Sequence, residues 1–296
     1  MNADDFGLTA GVNRAIAELH HAGNLTSTTL MARAQATDGA IGIALATPSL
    51  GVGCHVVLTD GEPILPPREI PSLVDAQTGH FPRTLNQFLR RLFTGRIRAA
   101  EVEAEAFAQI AALQNRGLRP THIDTHKHTH MFPAVLKPLL RAARAAGIAA
   151  VRNPFEPLWA MRATPRAPLV RRAEECVLRR FEPALRRIIA QHGFSTTDGT
   201  VAVVGTGNLD AHALRSLLRQ LPAGTWELVT HPGYNDADLE KVHTRLRASR
   251  EVEMQALASI QEFPEVELIS FAGLKNENPA PAQRVESRRM AAAPKD

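Results

Sequence analysis

Short apolar runs rich in β-branched residues alternate along this chain with longer segments of helical period. Runs of the first kind predict strands over residues 27–31, 51–58, 121–124, 150–152, 200–204, 226–230 and 266–271. Between them, Val12, Ile16 and Leu19 recur at i, i+4 and i+7, on one face of a helix. Further helices are predicted over 99–115, 134–146, 170–191, 211–220 and 236–260. Asn208-Leu-Asp210 reads as a cap region for the helix from 211, and Gly147 as the stop for the helix ending at 146.

Strand–helix alternation without a run of hairpins argues for parallel pairing with right-handed crossovers. About seven strands favour an α/β fold of (β/α) barrel type, distorted if imperfect, over a doubly wound sheet. In either architecture ligands gather at the carboxyl ends of the strands. An Asp-Asp pair stands at residues 4 and 5, so the strand expected before it is truncated or lies upstream. Such a pair is expected to be frayed. Residues 275–296, rich in Pro, Ala, Arg and Lys, show no apolar period. They read as a disordered tail after a single domain of 1–274.

Composition narrows the class. A formal charge of +4 is mild for 296 residues, and the arginines are scattered over several helices, so a nucleic-acid partner is not expected. Two cysteines, Cys54 and Cys176, are too few for a disulfide framework, so a reducing compartment, the cytoplasm, is expected. No apolar run reaches membrane-spanning length and no secretory signal opens the sequence. The segment 170–191, with Leu178, Phe181 and Leu185 among arginines, reads as an ordinary amphipathic helix rather than a membrane-surface anchor. Oligomeric state stays open, a homodimer included.

Four polar clusters stand at predicted strand ends. Asp4 and Asp5 are adjacent, so their side chains should point in different directions, one able to hold a metal while the other stays a base. A solvated loop pair is the plain alternative. His55 lies inside the apolar run from Gly51, where a hydrogen-bonded core histidine is the competing reading. His122-Ile-Asp-Thr-His-Lys-His-Thr-His130 packs four histidines into nine residues, and an extended backbone would place His126, His128 and His130 on one side. His231 follows the run from Trp226 and is exposed at its tip by Pro232-Gly233.

Jointly these residues mean more than singly. A carboxylate and two imidazoles make a workable three-ligand set for one divalent ion, with positions left for water and substrate. Hydrolysis then needs a base, a proton donor for the leaving group and positive charge near the oxyanion. Asp4 beside a metal-bound Asp5, a histidine at another strand end, and Arg152 would supply them. That composition suggests metal-assisted hydrolysis without naming an amide, an ester or a phosphate. A metal-dependent phosphoesterase is the rival enzyme, disfavoured because many phosphate-cleaving sites hold two ions. A non-catalytic sugar- or lipid-binding relic with a damaged amino end is the rival without chemistry.

The pieces Ala3-Asp-Asp-Phe-Gly-Leu8, Leu25-Thr-Ser-Thr-Thr29, Gly53-Cys-His-Val-Val-Leu-Thr59, Thr121-His-Ile-Asp-Thr-His126 running on to His130-Met-Phe-Pro133, and His231-Pro-Gly233 resemble the YdjC-like family of carbohydrate deacetylases in order and content. The resemblance implies a distorted (β/α) barrel and removal of the N-acetyl group from an amino sugar. It implies Asp5, His55 and His126 as metal ligands, with Asp4 as the general base. His231 is then expected as general acid or oxyanion partner. Arg152 and Glu156 are similar to a family segment near the site, Arg152 as a catalytic group and Glu156, with His130, towards substrate. The stretch Glu62-Pro-Ile-Leu-Pro-Pro-Arg-Glu-Ile-Pro71, with Gly79-His80-Phe81, resembles a hopanoid-biosynthesis branch, which implies a glucosaminyl hopanoid or another glycolipid as substrate beside soluble oligosaccharides. Two imidazoles and a carboxylate suit zinc, and the resemblance also admits magnesium. Cys54, next to His55, should face the other way and pack as a small residue.

Overall fold

Among the described residues six short parallel strands form one sheet, whose carboxyl edge carries the buried Asp4, Asp5, His55 and Asp124. The computed structural model describes residues 1–164, 167–260, 263 and 266–274. Its strands are β1 (Asn2–Phe6), β2 (Ser27–Leu30), β3 (Gly51–Val56), β4 (Ile123–Thr125), β5 (Gly199–Val201) and β6 (Trp226–Thr230), paired in the order β4-β3-β2-β1-β6-β5. Parallel neighbours need crossover connections, and helices supply them. They are α1 (Ala10–His21), α2 (Thr37–Ala46), α3 (Leu85–Phe93), α4 (Ala99–Gln114), α5 (Pro133–Ala145), α6 (Leu158–Ala163), α7 (Leu169–Leu178), α8 (Glu182–Gln191), α9 (Ala211–Arg219), α10 (Ala237–Glu240) and α11 (Ala248–Ala258). In α1, Thr9 caps the first turn by accepting from Val12 N at 3.2 Å, and Val12, Ile16 and Leu19 are all buried as the spacing requires. Each such side chain gains roughly 1.5–3 kcal/mol on leaving water.

The α/β class expected from periodicity is the observed one, with six strands where about seven were expected. Residues 150–152 form isolated bridges, Val151 to Ile123 and Ala150 to Ser195, instead of a strand. Pro154 follows at once and has no N–H to extend a ladder. The stretch still joins the two edges of the sheet. On the β4 side Arg152 N donates to Ile123 O at 3.1 Å, and on the other Thr200 N, from β5, donates to Phe155 O at 3.1 Å. The sheet is thereby curled into an incomplete barrel.

Four further expectations change. The Asp pair lies within β1, which is wholly buried between β2 and β6, and it is not frayed. Residues 266–270 form no strand. Phe271 instead begins a 3-10 turn, stacks on His122 with ring centroids 3.8 Å apart, and donates its N–H to Ser27 Oγ, covering the amino ends of the strands. The helix expected over 170–191 breaks into α7 and α8 because Pro183 takes a place in the first turn of a new helix, where its missing N–H costs nothing. The helix expected over 236–260 divides into α10 and α11, and the loop between them faces a large cavity. The tail expected over 275–296 lies outside the described residues.

Both cysteines are free, Cys54 buried and Cys176 exposed. Among the described residues no helix is long and apolar enough to cross a membrane.

Candidate active site

The site begins with an irregularity in β1. Ala3 is in register with Thr28 and Phe6 with Leu30, so three steps along β1 match two along β2. The extra residue is a bulge, and Asp5 sits there in left-handed conformation at φ 67°. A regular strand would send Asp4 and Asp5 to opposite faces, as the sequence suggests, but the bulge lets both line one cavity. Gly7, at φ 94°, turns the chain out of the strand, and its N–H donates to Asn13 Oδ1 at 2.8 Å.

Asp5, His55 and His126 converge. His55 Nε2 lies 3.2 Å from His126 Nδ1, and Asp5 Oδ1 lies 3.4 Å from His126 Nδ1 and 3.7 Å from His55 Nε2. Ligands about 2.1 Å from one ion stand roughly 3.0–3.4 Å apart at octahedral or tetrahedral angles, so this triangle is close to the size of a divalent-ion site. Asp5 Oδ1 is buried and lacks any hydrogen-bond partner, as an oxygen reserved for an ion would. The three residues therefore fit a metal.

His55 is aimed from behind. Its Nδ1 meets Asp124 Oδ1 at 2.7 Å, the carboxylate–imidazole pairing that orients metal-binding histidines. Strand register makes them neighbours, since His55 pairs with Asp124 across β3 and β4. Burial pulls the imidazole pKa down, but Asp124, Asp4 and Asp5 outweigh it and push it up to about 9. Thr29 Oγ1 adds a donor to Asp4 Oδ1 at 3.1 Å.

A second cluster, Asp4, His55 and Asp124, has metal-like proximity. Arg152 already occupies it. The guanidinium is fully buried, reaching Asp4 Oδ2 and Oδ1 at 2.8 and 2.6 Å, Asp124 Oδ2 at 2.5 Å and Glu227 Oε1 at 2.6 Å. Burial would raise the Asp4 pKa, but Arg152, His55 and His231 hold it far below the carboxylate range, so Asp4 is ionised at neutral pH. Arg152 does not line the cavity, so it stands beneath Asp4 and not beside a substrate.

His231, 12% exposed, projects into the cavity from the end of β6 with Nε2 3.9 Å from Asp4 Oδ2. Glu253 on α11 accepts the His231 backbone N–H at 2.6 Å and lies 3.8 Å from its Nδ1. Burial lowers the imidazole pKa, but Glu253, Asp4 and Asp5 prevail and raise it. One turn earlier, Arg250 donates from Nη2 to Asp5 Oδ2 at 2.5 Å. Arg250 and Glu253, at i and i+3 on α11, thus hold Asp5 and His231 together. Gly233 packs closely beneath them: a Cβ there would stand 3.0 Å from both Arg250 Cδ and Val12 Cγ2, so one of those side chains would have to give way.

Sequence spacing misses both α11 residues, since nothing in an otherwise ordinary helix marks Arg250 or Glu253. The partnership of Asp124 was open to inference, because period 2 puts it on the same side of β4 as His126.

The His-rich run is not extended. Lys127 and His128 take left-handed conformations, φ 56° and 53°, within a turn over His126–Met131. Thr125 Oγ1 locks it, accepting His130 N at 3.0 Å and meeting His130 Nδ1 at 2.8 Å. His126 consequently reaches the triangle, His128 lines the cavity, and His130 is buried away from it. Glu156 is buried as well. Its carboxylate accepts Ala202 N at 2.8 Å and Val204 N at 2.7 Å, and it is not among the cavity residues. The structure thus brings Asp4, Asp5, His55, His126 and His231 together around one space, with Arg152 behind and His130 and Glu156 outside.

That space has a volume of about 1270 Å³. Four non-glycine residues with positive φ, Asp5, Asp60, Lys127 and His128, line it, and backbone strain of this kind gathers at functional sites. Carboxylates and imidazoles thus gather at the carboxyl edge of a curled parallel sheet, in an arrangement that could hold a metal ion.

Residues 1–265 match the YdjC-like protein family, and the chain belongs to it. A carbohydrate deacetylase of Brevibacillus brevis is 41% identical over 48% of this chain and 54% of its own length. The mouse carbohydrate deacetylase is 32% identical over 79% of this chain and 77% of its own. The chain thus spans about half the length of the Brevibacillus relative, and more of the mouse one. Among solved structures, an Enterococcus faecalis protein proposed to act in cellobiose-phosphate cleavage superposes with a TM-score of 0.70 at 26% identity, covering 91% of this chain and 95% of that one.

Proposed function

We propose that this chain is a metal-dependent hydrolase that removes the acetyl group from an N-acetylated amino sugar. The observation that carries the reading is the unpartnered Asp5 Oδ1 facing His55 and His126, with Asp4 and His231 3.9 Å apart at its side. The activity named for the relatives supports it.

Asp5, His55 and His126 would hold the ion, zinc or magnesium. When bound there, the ion supplies the Lewis acidity that makes a water acidic enough to lose its proton to so weak a base as Asp4. Asp4, kept ionised by Arg152, takes that proton at Oδ2, the oxygen nearer His231. His231, kept protonated by Glu253, gives a proton to the sugar nitrogen as the C–N bond breaks. Acetate and a free amine result. Arg152 contributes by positioning Asp4, and Arg250 by fixing Asp5 so that only Oδ1 is free.

Beyond the triangle the cavity is lined by apolar Met131, Val170, Leu178, Val203 and Val204 beside the polar Arg171, Glu174 and Glu175. It suits a substrate whose sugar is joined to something larger, an oligosaccharide or a glycolipid such as a glucosaminyl hopanoid. The cytoplasm is the compartment we expect, consistent with two free cysteines.

The test is acetate release from N-acetylglucosamine-containing substrates after chelation and after return of zinc or magnesium, with generic phosphoesters beside them. Metal-restored acetate release is expected. Phosphoester cleavage alone, or no reaction with the ion bound, would refute the reading.

A further inference from the structure

Among the described residues, two carboxylate oxygens are buried without a hydrogen-bond partner: Asp5 Oδ1 and Glu175 Oε2. Both residues line the same cavity. The first faces the proposed ion site between His55 and His126. The second lies on α7, and no ion site includes it among the described residues.

Glu175 is only 8% exposed. With Arg171 and Leu178 it forms an i, i+4, i+7 stripe that α7 turns towards the cavity. Its cationic neighbours are engaged elsewhere. Arg171 donates to Val203 O and Thr206 O, and Arg179 to Glu156 O and Glu182. Burial, reinforced by Glu174, pushes the Glu175 carboxyl up to about 7, so near neutral pH it can accept a hydrogen bond or donate one. Leaving such a group unpaired costs stability, and a ligand that paired it would recover that loss.

The cavity has room for one. Pockets of about 300–1000 Å³ hold a drug-sized ligand, and this cavity of about 1270 Å³ exceeds what the acetamido sugar at the triangle fills. We propose that Glu175 binds the hydroxyl groups of a second, polyhydroxylated unit joined to the N-acetyl sugar, with Leu178, Val203 and Val204 packing against the apolar face of that unit. Arg171 and Arg179 on the same stretch of chain disfavour a cationic ligand, whereas a hydroxyl is indifferent to them. The assignment rests on the deacetylase reading of this cavity.

The experiment compares wild type, Glu175→Gln and Glu175→Leu on di-N-acetylchitobiose and on N-acetylglucosamine, and records thermal unfolding of each without substrate. For Glu175→Leu, KM for the disaccharide is expected to rise about tenfold, the loss falling on KM more than on kcat, as when one hydrogen bond to a near-charged group is removed. Its ratio of disaccharide to monosaccharide kcat/KM should fall similarly. Its Tm should rise, because no partner is lost and a buried carboxyl is. Glu175→Gln, which still bonds hydroxyls, should keep most of the disaccharide preference.

A wild-type KM in the Leu variant, or a lowered Tm, overturns the proposal. A Gln variant as impaired as the Leu variant points to a cationic ligand and overturns the hydroxyl assignment. If wild type releases acetate from neither sugar, the deacetylase reading fails separately. Glu175 is then judged by calorimetric binding of di-N-acetylchitobiose to wild type and Glu175→Leu, where equal affinities, or no binding, overturn it.

Discussion

Arg152 grips Asp4 through two nitrogens, Nη1 to Oδ2 at 2.8 Å and Nη2 to Oδ1 at 2.6 Å, although 147 residues separate them in the chain. The same guanidinium touches Asp124 and Glu227, so one buried cation orders three carboxylates. Asp124 in turn orients His55. Asp4, the His55 imidazole and the floor of the barrel therefore share a single hub.

Removing that hub should cost stability first. Arg152→Met leaves buried carboxylates without their counter-charge, and breaking a buried pair from one side costs about 3–5 kcal/mol. Arg152→Lys should recover little, since one ammonium cannot reproduce a two-nitrogen fork. Urea unfolding of both variants measures this; a change below about 1 kcal/mol in Arg152→Met would show the hub to be dispensable.

Asp4→Asn keeps the shape of the side chain and removes its basicity. Turnover should fall by about 10²–10⁴, while zinc binding through Asp5, His55 and His126 survives. Acetate release and calorimetric zinc titration of the same preparation separate the two. Near-normal turnover would mean that the proton goes elsewhere.

Glu253 sets the pH range in which His231 remains an acid. Burial opposes the charged imidazole, but Glu253 with Asp4 and Asp5 raises its pKa above the ordinary histidine value. The protonated form thus persists to higher pH, and activity declines as pH climbs past that raised pKa. Glu253→Gln removes the largest raising influence, so the alkaline limb of the kcat profile should move to lower pH with the same ion bound. A limb that stays in place would detach His231 from proton transfer.

Ion uptake should release a proton. Without an ion, the His55 pKa stands at about 9, so its imidazole is protonated at pH 7. A ligand must be neutral, hence binding displaces about one proton and apparent affinity rises with pH up to that value. Titrating zinc in two buffers of different ionisation enthalpy reads the proton count. Identical heats would contradict it.

Asp5 shows where local spacing runs out. Two adjacent aspartates in a strand should diverge, and they converge only because β1 carries an extra residue opposite β2, a property of pairing and not of either residue. The His-rich run is similar: its composition marks a site, yet Thr125 folds it into a turn that sends His126 one way and His130 another. Pro154 and Pro183, by contrast, were readable locally, and they account for the strand that did not form and the helix that broke.

Residue types and their periods by themselves determined the α/β class, the parallel arrangement, the face of α1 that is buried, and that carboxylates and imidazoles gather at strand ends. Only the tertiary structure decided which of them meet. Arg250 and Glu253 reach Asp5 and His231 from α11, Arg152 turns under Asp4, and Glu156 is drawn away to Ala202 and Val204. Such contacts join residues far apart in the chain, and a buried charge accepts whichever partner the packed fold brings within hydrogen-bond reach. Periodicity encodes a face of an element; it carries no record of what another element will place opposite.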